Sequence, residues 1–241
     1  MRQQQDGIVA WVGLPEWIRG PANIVDSEIV LDEERADRYA LHNLSGAIFE
    51  LATLRNPQDI RAFVRRHGLL LHGPDDLGTR ECREPLWGWQ REAYHAALVV
   101  MLYMGLMEAE KTGSAEPVRS LNITRKGAPE TLNDEDYLQQ HSMGLAGLIS
   151  NYLRRCQPAL APAFQFETGS GPGEFVITHQ PPTLLAATYA EFAVIVAQRA
   201  ELKRCPGCGR IFHPESGRQK YHSKSCANND RWRRWKERQA N

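Results

Sequence analysis

The chain has little of what would mark a secreted or membrane protein. It has only five cysteines in 241 residues, and Cys82 and Cys156 stand far from the other three. Because no disulfide framework emerges, we expect a reducing compartment, the cytoplasm, rather than secretion. The first residues lack the apolar core of a signal peptide. The longest apolar run, 96–107, is too short to span a bilayer, so we expect no membrane partner.

A recognisable catalytic constellation is also missing. No nucleophile can be paired with a neighbouring base, and the glycine-rich segment 169–173 is not followed by the Lys-Ser or Lys-Thr pair of a phosphate-binding loop. The acidic residues 134–136 stand where a helix is expected to begin, and a helix N-terminus attracts carboxylates for electrostatic reasons alone. We therefore predict that the protein is not an enzyme.

Net charge is absent as well, but the charges are unevenly distributed. The formal net charge is zero. Residues 203–241 carry eleven Lys and Arg against three Asp and Glu, which gives +8, and residues 1–202 carry 18 against 26, which gives −8. A basic tail on an acidic body indicates a polyanionic partner for the tail. Docking of the tail on its own body would satisfy the same charges and stays open as an alternative.

Apolar periodicity predicts a mainly helical body over residues 1–202, with one small β-hairpin. Alternating apolar and polar residues around a glycine-rich turn place that hairpin near 164–178. The lead-in 1–26 is expected to be irregular, 112–132 is expected to be a long loop, and a short strand is expected at 27–31. Gly144 and Gly147 indicate a close helix crossing. The predicted helices cover residues 36–54, 57–68, 86–111, 133–156 and 183–203.

Three cysteines and one histidine near the C-terminus have the spacing of a metal site. Cys205 and Cys208 are separated by two residues, His222 and Cys226 by three, and thirteen residues lie between the two pairs. Zinc in structural sites prefers four nitrogen and sulfur ligands at the corners of a tetrahedron, which two short-spaced pairs satisfy. We therefore predict one Zn²⁺ in a closed shell, structural rather than catalytic.

The segments around these residues predict how the site is built. Glycines in and after the first pair allow a tight knuckle, and residues 210–212 are expected to form a strand. Ser223 is a plausible N-cap, which places Cys226 in the first turn of a final helix. The arrangement is treble-clef-like. His213 is a rival fourth ligand, although its position directly after a strand makes it a poorer partner for Cys226.

This part of the chain resembles the CGNR zinc-finger family. The resemblance rests on Cys-Pro-x-Cys-Gly-Arg-x-Phe from Cys205, on Tyr-His-Ser-x-x-Cys from Tyr221, and on the Asn followed by a helix rich in Arg and Trp; it covers about residues 183–238. It implies a bacterial, stress-responsive transcription regulator with an ABATE-type N-terminal domain. Two departures stand out: the name-giving Cys-Gly-Asn-Arg run is Cys-Ala-Asn-Asn here, and His222 replaces a usual cysteine.

The final helix has the composition of a nucleic-acid contact. Guanidinium groups suit phosphate oxygens, and a cationic helix can follow a groove. Asparagines near the metal can reach adenine edges, or complete a local hydrogen-bond network instead. Trp232 and Trp235 are expected to pack the small module against its neighbour, although they could stack on bases. The residues predicted to contact nucleic acid are Arg231, Arg234, Arg238, Lys220, Lys224, Asn228 and Asn229.

Together these observations predict a mainly α protein with a small β-hairpin, an α+β fold. It would have an ABATE-like helical body at 1–202 and a C-terminal zinc finger at 203–241. The leading hypothesis is nucleic-acid binding by the zinc finger, with DNA as the nucleic acid, in a transcription regulator whose body senses an unknown ligand or mediates homo-oligomer assembly. The alternative is a zinc-stabilised protein–protein interaction module.

Overall fold

The computed structural model describes residues 17–39, 46–71, 82–121, 133–155, 159–165, 174–181 and 183–240. At residues 152–155, 159–165, 174–180 and 240 it describes the backbone alone. The predictions for the lead-in before Trp17, for Cys156 and for the turn of the β-hairpin fall outside the described residues.

Helices account for most of the described secondary structure, and the strands are short. The strands are β1 (Trp17–Arg19), β2 (Ala22–Val25), β3 (Glu28–Leu31), β4 (Asp37–Tyr39), β5 (Arg83–Pro85), β6 (Ala159–Gln165), β7 (Glu174–Gln180), β8 (Lys203–Arg204) and β9 (Ile211–Phe212). The helices are α1 (Ala47–Leu51), α2 (Pro57–His67), α3 (Leu86–Thr112), α4 (Glu116–Arg119), α5 (Asp134–Arg155), α6 (Leu184–Ala197) and α7 (Lys224–Ala240). The predicted mainly helical fold is confirmed, and none of the described helices has the length and apolarity needed to cross a membrane.

The strands form small antiparallel sheets. β1 pairs with β4, β3 lies between β2 and β5, β6 pairs with β7, and β8 pairs with β9. The β2–β3 turn places Asp26 and Ser27 at φ values of 49° and 67°, the left-handed conformation that two-residue hairpin turns require. The predicted strand at 27–31 is confirmed. The body also contains the predicted β-hairpin, but its first strand begins at Ala159, five residues before the predicted start.

Helix α3 is the centre of the body. It packs against α1, α4 and α5, and α6 closes the core by packing on α1 and α5. Trp89 on α3 meets Phe63 of α2 edge to face, with ring centroids 5.5 Å apart. Tyr103 meets Phe192 of α6 in the same way at 5.9 Å. Because a buried aromatic side chain contributes roughly 1.5–3 kcal/mol, these contacts tie α2 and α6 to the central helix.

The ends of α2 follow the rules of helix capping. The Asn56 side chain accepts a hydrogen bond from the Asp59 amide at 2.9 Å, and Asp59 accepts one from the Asn56 amide at 3.2 Å. This reciprocal capping box satisfies two amides that the helix leaves unpaired. The helix ends at Gly68, whose φ of +90° disfavours any residue with a Cβ.

Two predictions for the N-terminal part are wrong. The irregular lead-in contains β1 and β2. The helix expected from residue 36 begins only at Ala47, because Asp37–Tyr39 pair with β1 instead. The Tyr39 hydroxyl also donates to the carbonyl of His67 at 2.6 Å. Long-range pairing and a tertiary hydrogen bond therefore override the local helical pattern.

Further predictions fail at helix ends and at a crossing. Helix α6 ends at Ala197 rather than near residue 203, because Arg199 takes a left-handed φ of 52°. The loop predicted at 112–132 contains the short helix α4. Gly144 and Gly147 mark no close crossing with the described part of the chain, where a Cβ at either would meet nothing within 4 Å.

A carboxyl group lies buried between α6 and the start of α1. Glu191 Oε1 accepts a hydrogen bond from the Gly46 amide at 3.0 Å. Glu191 Oε2 is buried and has no hydrogen-bond partner among the described residues. Burial raises the pKa of Glu191 to about 7, and the hydrogen bond from Gly46 offsets only part of this effect. The folded protein therefore holds the proton of Glu191 more tightly than the unfolded chain does.

We predict that Glu191→Gln stabilises the protein in alkaline solution. With the folded pKa raised, stability falls as pH rises from the ordinary carboxyl pKa towards about 7, and the amide abolishes this loss. At 1.36 kcal/mol per pKa unit the gain reaches roughly 3 kcal/mol near pH 8 and vanishes near pH 4. Urea unfolding at both pH values measures it, with exposed Glu108→Gln as the control. A gain of equal size at both pH values would contradict the assignment.

Candidate metal centre

A tight knuckle joins β8 to β9 and carries the first ligand pair. The Cys205 amide donates to the Arg210 carbonyl at 2.7 Å, and the Gly209 amide donates to the Cys205 carbonyl at 2.8 Å. Gly209 has a φ of +75°, which favours glycine. A Cβ on Gly207 would lie 3.0 Å from the Cys226 carbonyl oxygen. The knuckle therefore approaches the final helix as closely as a glycine permits.

The second ligand pair lies at the start of α7. The Ser223 hydroxyl accepts a hydrogen bond from the Cys226 amide at 3.2 Å, so Ser223 acts as the predicted N-cap. Cys226 lies in the first turn of the helix, and His222 lies two residues before the helix begins. Knuckle, β-hairpin and helix N-terminus thus form the predicted treble-clef-like arrangement.

The two pairs converge on one point. The ligand atoms of Cys205, Cys208, His222 and Cys226 all lie within 4.8 Å of one another, and Cys208 Sγ is 3.5 Å from His222 Nδ1. Tetrahedral ligands with metal–sulfur bonds of about 2.3 Å lie about 3.8 Å apart, so the cluster can close on an ion with small side-chain shifts. His213 is exposed and lies outside the cluster.

The thiols of the knuckle have different acidities without a metal. Burial raises the pKa of Cys205, but hydrogen bonds from His222 and from the Gly207 and Cys208 amides outweigh it and leave the value at about 6. Burial and the neighbouring thiols raise the pKa of Cys208 to about 11. The knuckle alone therefore favours a single negative charge, and a divalent cation would supply the attraction that ionises the remaining thiols.

The hairpin that carries the knuckle is fixed to the body. Ile211 on β9 is buried within the same hydrophobic core as the helices. Arg210 lies 3.5 Å from Glu50 of α1. Glu50 also binds Arg66 at 2.9 Å and His67 at 3.1 Å. One apolar and one ionic contact therefore hold the knuckle against α1 and α2. The division of domains at residue 203 stays a prediction.

A buried carboxylate ties α7 to the loop before it. Asp230 is only 5% exposed and accepts a hydrogen bond from the Tyr221 hydroxyl at 2.7 Å. Arg233 and Arg234 bind the same carboxylate at 2.5 and 2.7 Å, and Arg234 also donates to the Tyr221 hydroxyl at 2.7 Å. Asp230 is thus a second anchor of α7, one turn beyond Cys226. Sequence reasoning missed it, although its spacing of three and four residues from two arginines is a readable signal.

The predicted nucleic-acid contacts are therefore not equivalent. Arg234 is engaged by Asp230 and Tyr221. The remaining predicted residues are exposed, and none of their side chains forms an ion pair with a described residue; they are Arg231, Arg238, Lys220, Lys224, Asn228 and Asn229. Trp232 and Trp235 are 58% and 51% exposed. The expectation that these tryptophans pack the module against its neighbour is therefore wrong for the single chain.

The comparisons with known proteins add no relative. No protein-family model matches the chain, and no curated protein matches it. The resemblance to the CGNR zinc-finger family therefore stays a prediction that rests on the motifs between Cys205 and the end of α7.

We predict that the purified chain holds one zinc ion and that His222→Ala releases it whereas His213→Ala does not. Both variants remove an imidazole from the same small module, but only His222 lies in the cluster. Cys226→Ala should also release the ion and unfold the module, because metal binding and folding are coupled in such modules. Metal analysis and circular dichroism measure both effects. Zinc loss in the His213 variant alone would contradict the ligand set.

Loss of the carboxylate at Asp230 should loosen α7 without releasing the metal. Asp230→Asn removes the negative charge that holds Arg233 and Arg234. Tyr221→Phe removes the two hydrogen bonds of the Tyr221 hydroxyl but keeps both ion pairs of Asp230. We expect trypsin to cut within α7 several-fold faster in the Asn variant, with a smaller effect in the Phe variant, because local opening controls cleavage. Zinc content should stay near that of the wild type. Equal cleavage of all three proteins would contradict the second anchor.

Proposed function

We propose that this chain is a zinc-dependent nucleic-acid-binding protein whose contact element is α7, and that DNA is the polymer it binds. One observation carries the proposal: every residue from Arg231 to Gln239 is exposed. That stretch contains five basic residues and one acidic residue. A helix fixed at its base and cationic along its free length is a suitable surface for a polyanion.

The acidic body does not neutralise this helix. Within the described chain, the only ion pairs of α7 are those of Arg233 and Arg234 with Asp230, which belongs to the same helix. Among the described residues, the hairpin contacts the body through Arg210, which pairs with Glu50, and through Ile211, which is buried in the core. Docking of the basic tail on its own body therefore gains no support, and the charge of α7 is left for a partner.

Three of the unpaired cations form a row. Lys224, Arg231 and Arg238 are spaced by seven residues, which places them on one side of the helix with about 10 Å between neighbours. Arg231 and Arg238 are two of the three arginines that the sequence predicts to contact nucleic acid. The third, Arg234, is engaged by Asp230. Lys224, which is also a predicted contact, completes the row. Phosphate contacts of this kind give affinity and orientation but little sequence specificity.

The resemblance to the CGNR family supports a more specific assignment. It implies a bacterial transcription regulator in which the body senses a ligand or assembles into an oligomer. In a site of this composition the four side chains complete the tetrahedral shell of the metal and leave no position for a reacting water. We therefore assign the metal a structural role and the protein no catalytic activity. Specific recognition would then require a second copy or a contribution from the body.

A protein-interaction module is the second candidate function. The two exposed tryptophans favour it, since tryptophan and arginine are enriched where proteins contact one another. In that case the partner would be an acidic protein surface. The salt dependence of binding separates the two candidates, because release of condensed counterions gives a steep and log-linear loss of affinity with nucleic acid.

We predict that replacing Lys224, Arg231 and Arg238 by alanine weakens binding to DNA of any sequence. Three lost phosphate contacts should flatten the slope of log affinity against log salt by up to about three units. Fluorescence anisotropy of labelled DNA at several salt concentrations measures this. Zinc content should not change, since none of the three side chains touches the cluster.

The control removes the same charge from the body. Arg38, Arg55 and Arg65 are exposed, and their replacement by alanine should leave both affinity and salt slope near the wild-type values. Unchanged binding in the α7 variant, or no binding by the wild type at low salt, would contradict nucleic-acid binding and favour the interaction module.

A further inference from the structure

The free face of α7 is aromatic as well as basic. Trp232 and Trp235 are three residues apart, so their side chains are neighbours on the helix surface. At about 100° per residue, Trp232 points about 160° away from Asp230, and Trp235 points about 180° away from Cys226. The two indoles therefore face away from the metal centre, and each is more than half exposed. Large exposed aromatic groups grouped on one face usually mark a binding surface.

Cations lie on both edges of this aromatic face. Lys236 Nζ lies 3.8 Å from the centroid of the Trp232 ring. On the opposite edge runs the row of Lys224, Arg231 and Arg238, about 80–120° around the helix from Trp232. The indoles thus lie between positive charges rather than within an apolar patch. A partner that covers this face must offer flat apolar groups in the middle and negative charge at both sides.

A nucleic-acid strand with unpaired bases has this distribution of groups. Its phosphates can reach the cations while its bases stack on the indoles, and such stacking tolerates any sequence because every base has an aromatic face. In a duplex the faces of the bases are covered by their neighbours, and only the edges are open in the grooves. A pair of indoles on a helix can therefore stack on the bases of a single strand but not on the covered bases of a duplex.

We propose that Trp232 and Trp235 stack on unpaired bases, so that α7 binds single-stranded DNA more tightly than duplex DNA. The proposal rests on the nucleic-acid-binding function argued above and names the form of DNA that the same helix prefers. In it, the row of Lys224, Arg231 and Arg238 supplies the affinity common to both forms. The two tryptophans supply the preference for the single strand.

The test uses the full zinc-loaded chain and two labelled probes: an oligothymidylate of about 20 nucleotides, which forms no stable duplex, and the duplex it makes with oligoadenylate. Affinities of the wild type and of Trp232→Ala/Trp235→Ala are measured for both probes by fluorescence anisotropy. Loss of stacking is worth about 5- to 150-fold per base. We expect the double variant to lose at least about tenfold for the single strand and less than about twofold for the duplex.

Two further variants separate stacking from general effects of removing tryptophan. Trp87 on α3 is 63% exposed and has the guanidinium of Arg91 5.3 Å from its ring centroid. It is a matched exposed tryptophan outside α7, and Trp87→Ala should leave both affinities unchanged. Trp232→Phe/Trp235→Phe keeps an aromatic ring at each position and should restore a large part of the single-strand affinity. Zinc content and circular dichroism establish that each variant is folded.

The outcomes distinguish failure of the stacking from failure of the proposed function. If the double alanine variant keeps its single-strand affinity, or loses equally for both probes, stacking is overturned while nucleic-acid binding stands. A wild type that prefers the duplex also overturns it. If the wild type binds neither probe at low salt, both the proposed nucleic-acid function and the stacking proposal are contradicted. An affinity for acidic polypeptides in that case would assign the aromatic face to a protein partner.

Discussion

Convergence of two short ligand pairs is the constraint on which the C-terminal part of the structure depends. Between residues 203 and 239 the described side chains that are buried are few, namely Cys205, Ile211, Phe212, Pro214 and Asp230. A core of this size contributes too little free energy to order the knuckle, the loop and the start of α7. Four side chains placed to hold one ion offer a further source, because the binding free energy of a metal becomes folding free energy. The glycine at position 207 matters for the same reason, since it allows the knuckle to touch the helix.

The module is held on one side and free on the other, and this asymmetry follows from where its contacts lie. Ile211 and Arg210 belong to the hairpin, and they meet the core and Glu50 of α1. Cys226 and Asp230 belong to the first two turns of α7, and they fix the base of the helix to the knuckle and to Tyr221. From Arg231 onward every described side chain is exposed. The body therefore holds α7 through the hairpin, to which the base of the helix is fixed, and the length of the helix stays exposed.

The parts of this arrangement that the sequence predicts are those governed by local spacing. The spacing within each of the two ligand pairs, the Ser223 cap and the apolar periodicity of α3 each depend on residues a few positions apart. The pairing of β1 with β4 joins segments about 20 residues apart, and the helical pattern at 36–46 could not reveal it. The inward role of Arg234 depends on burial of Asp230 as well as on spacing. The exposure of Trp232 and Trp235 depends on where the body ends, which periodicity does not encode.

The opposite charges of body and tail have a geometric consequence. Seventeen residues make α7 about 25 Å long, whereas charges in solution are screened beyond about 10 Å at ordinary ionic strength. The cations at the far end of α7 are thus outside the reach of carboxylates beside the hairpin, and those near its base are not. The net charge of −8 on the body repels a polyanion, whereas the cations in the distal turns of α7 attract it. For the proposed nucleic-acid partner this favours an approach along the free face of the helix, which carries Arg231, Trp232 and Trp235.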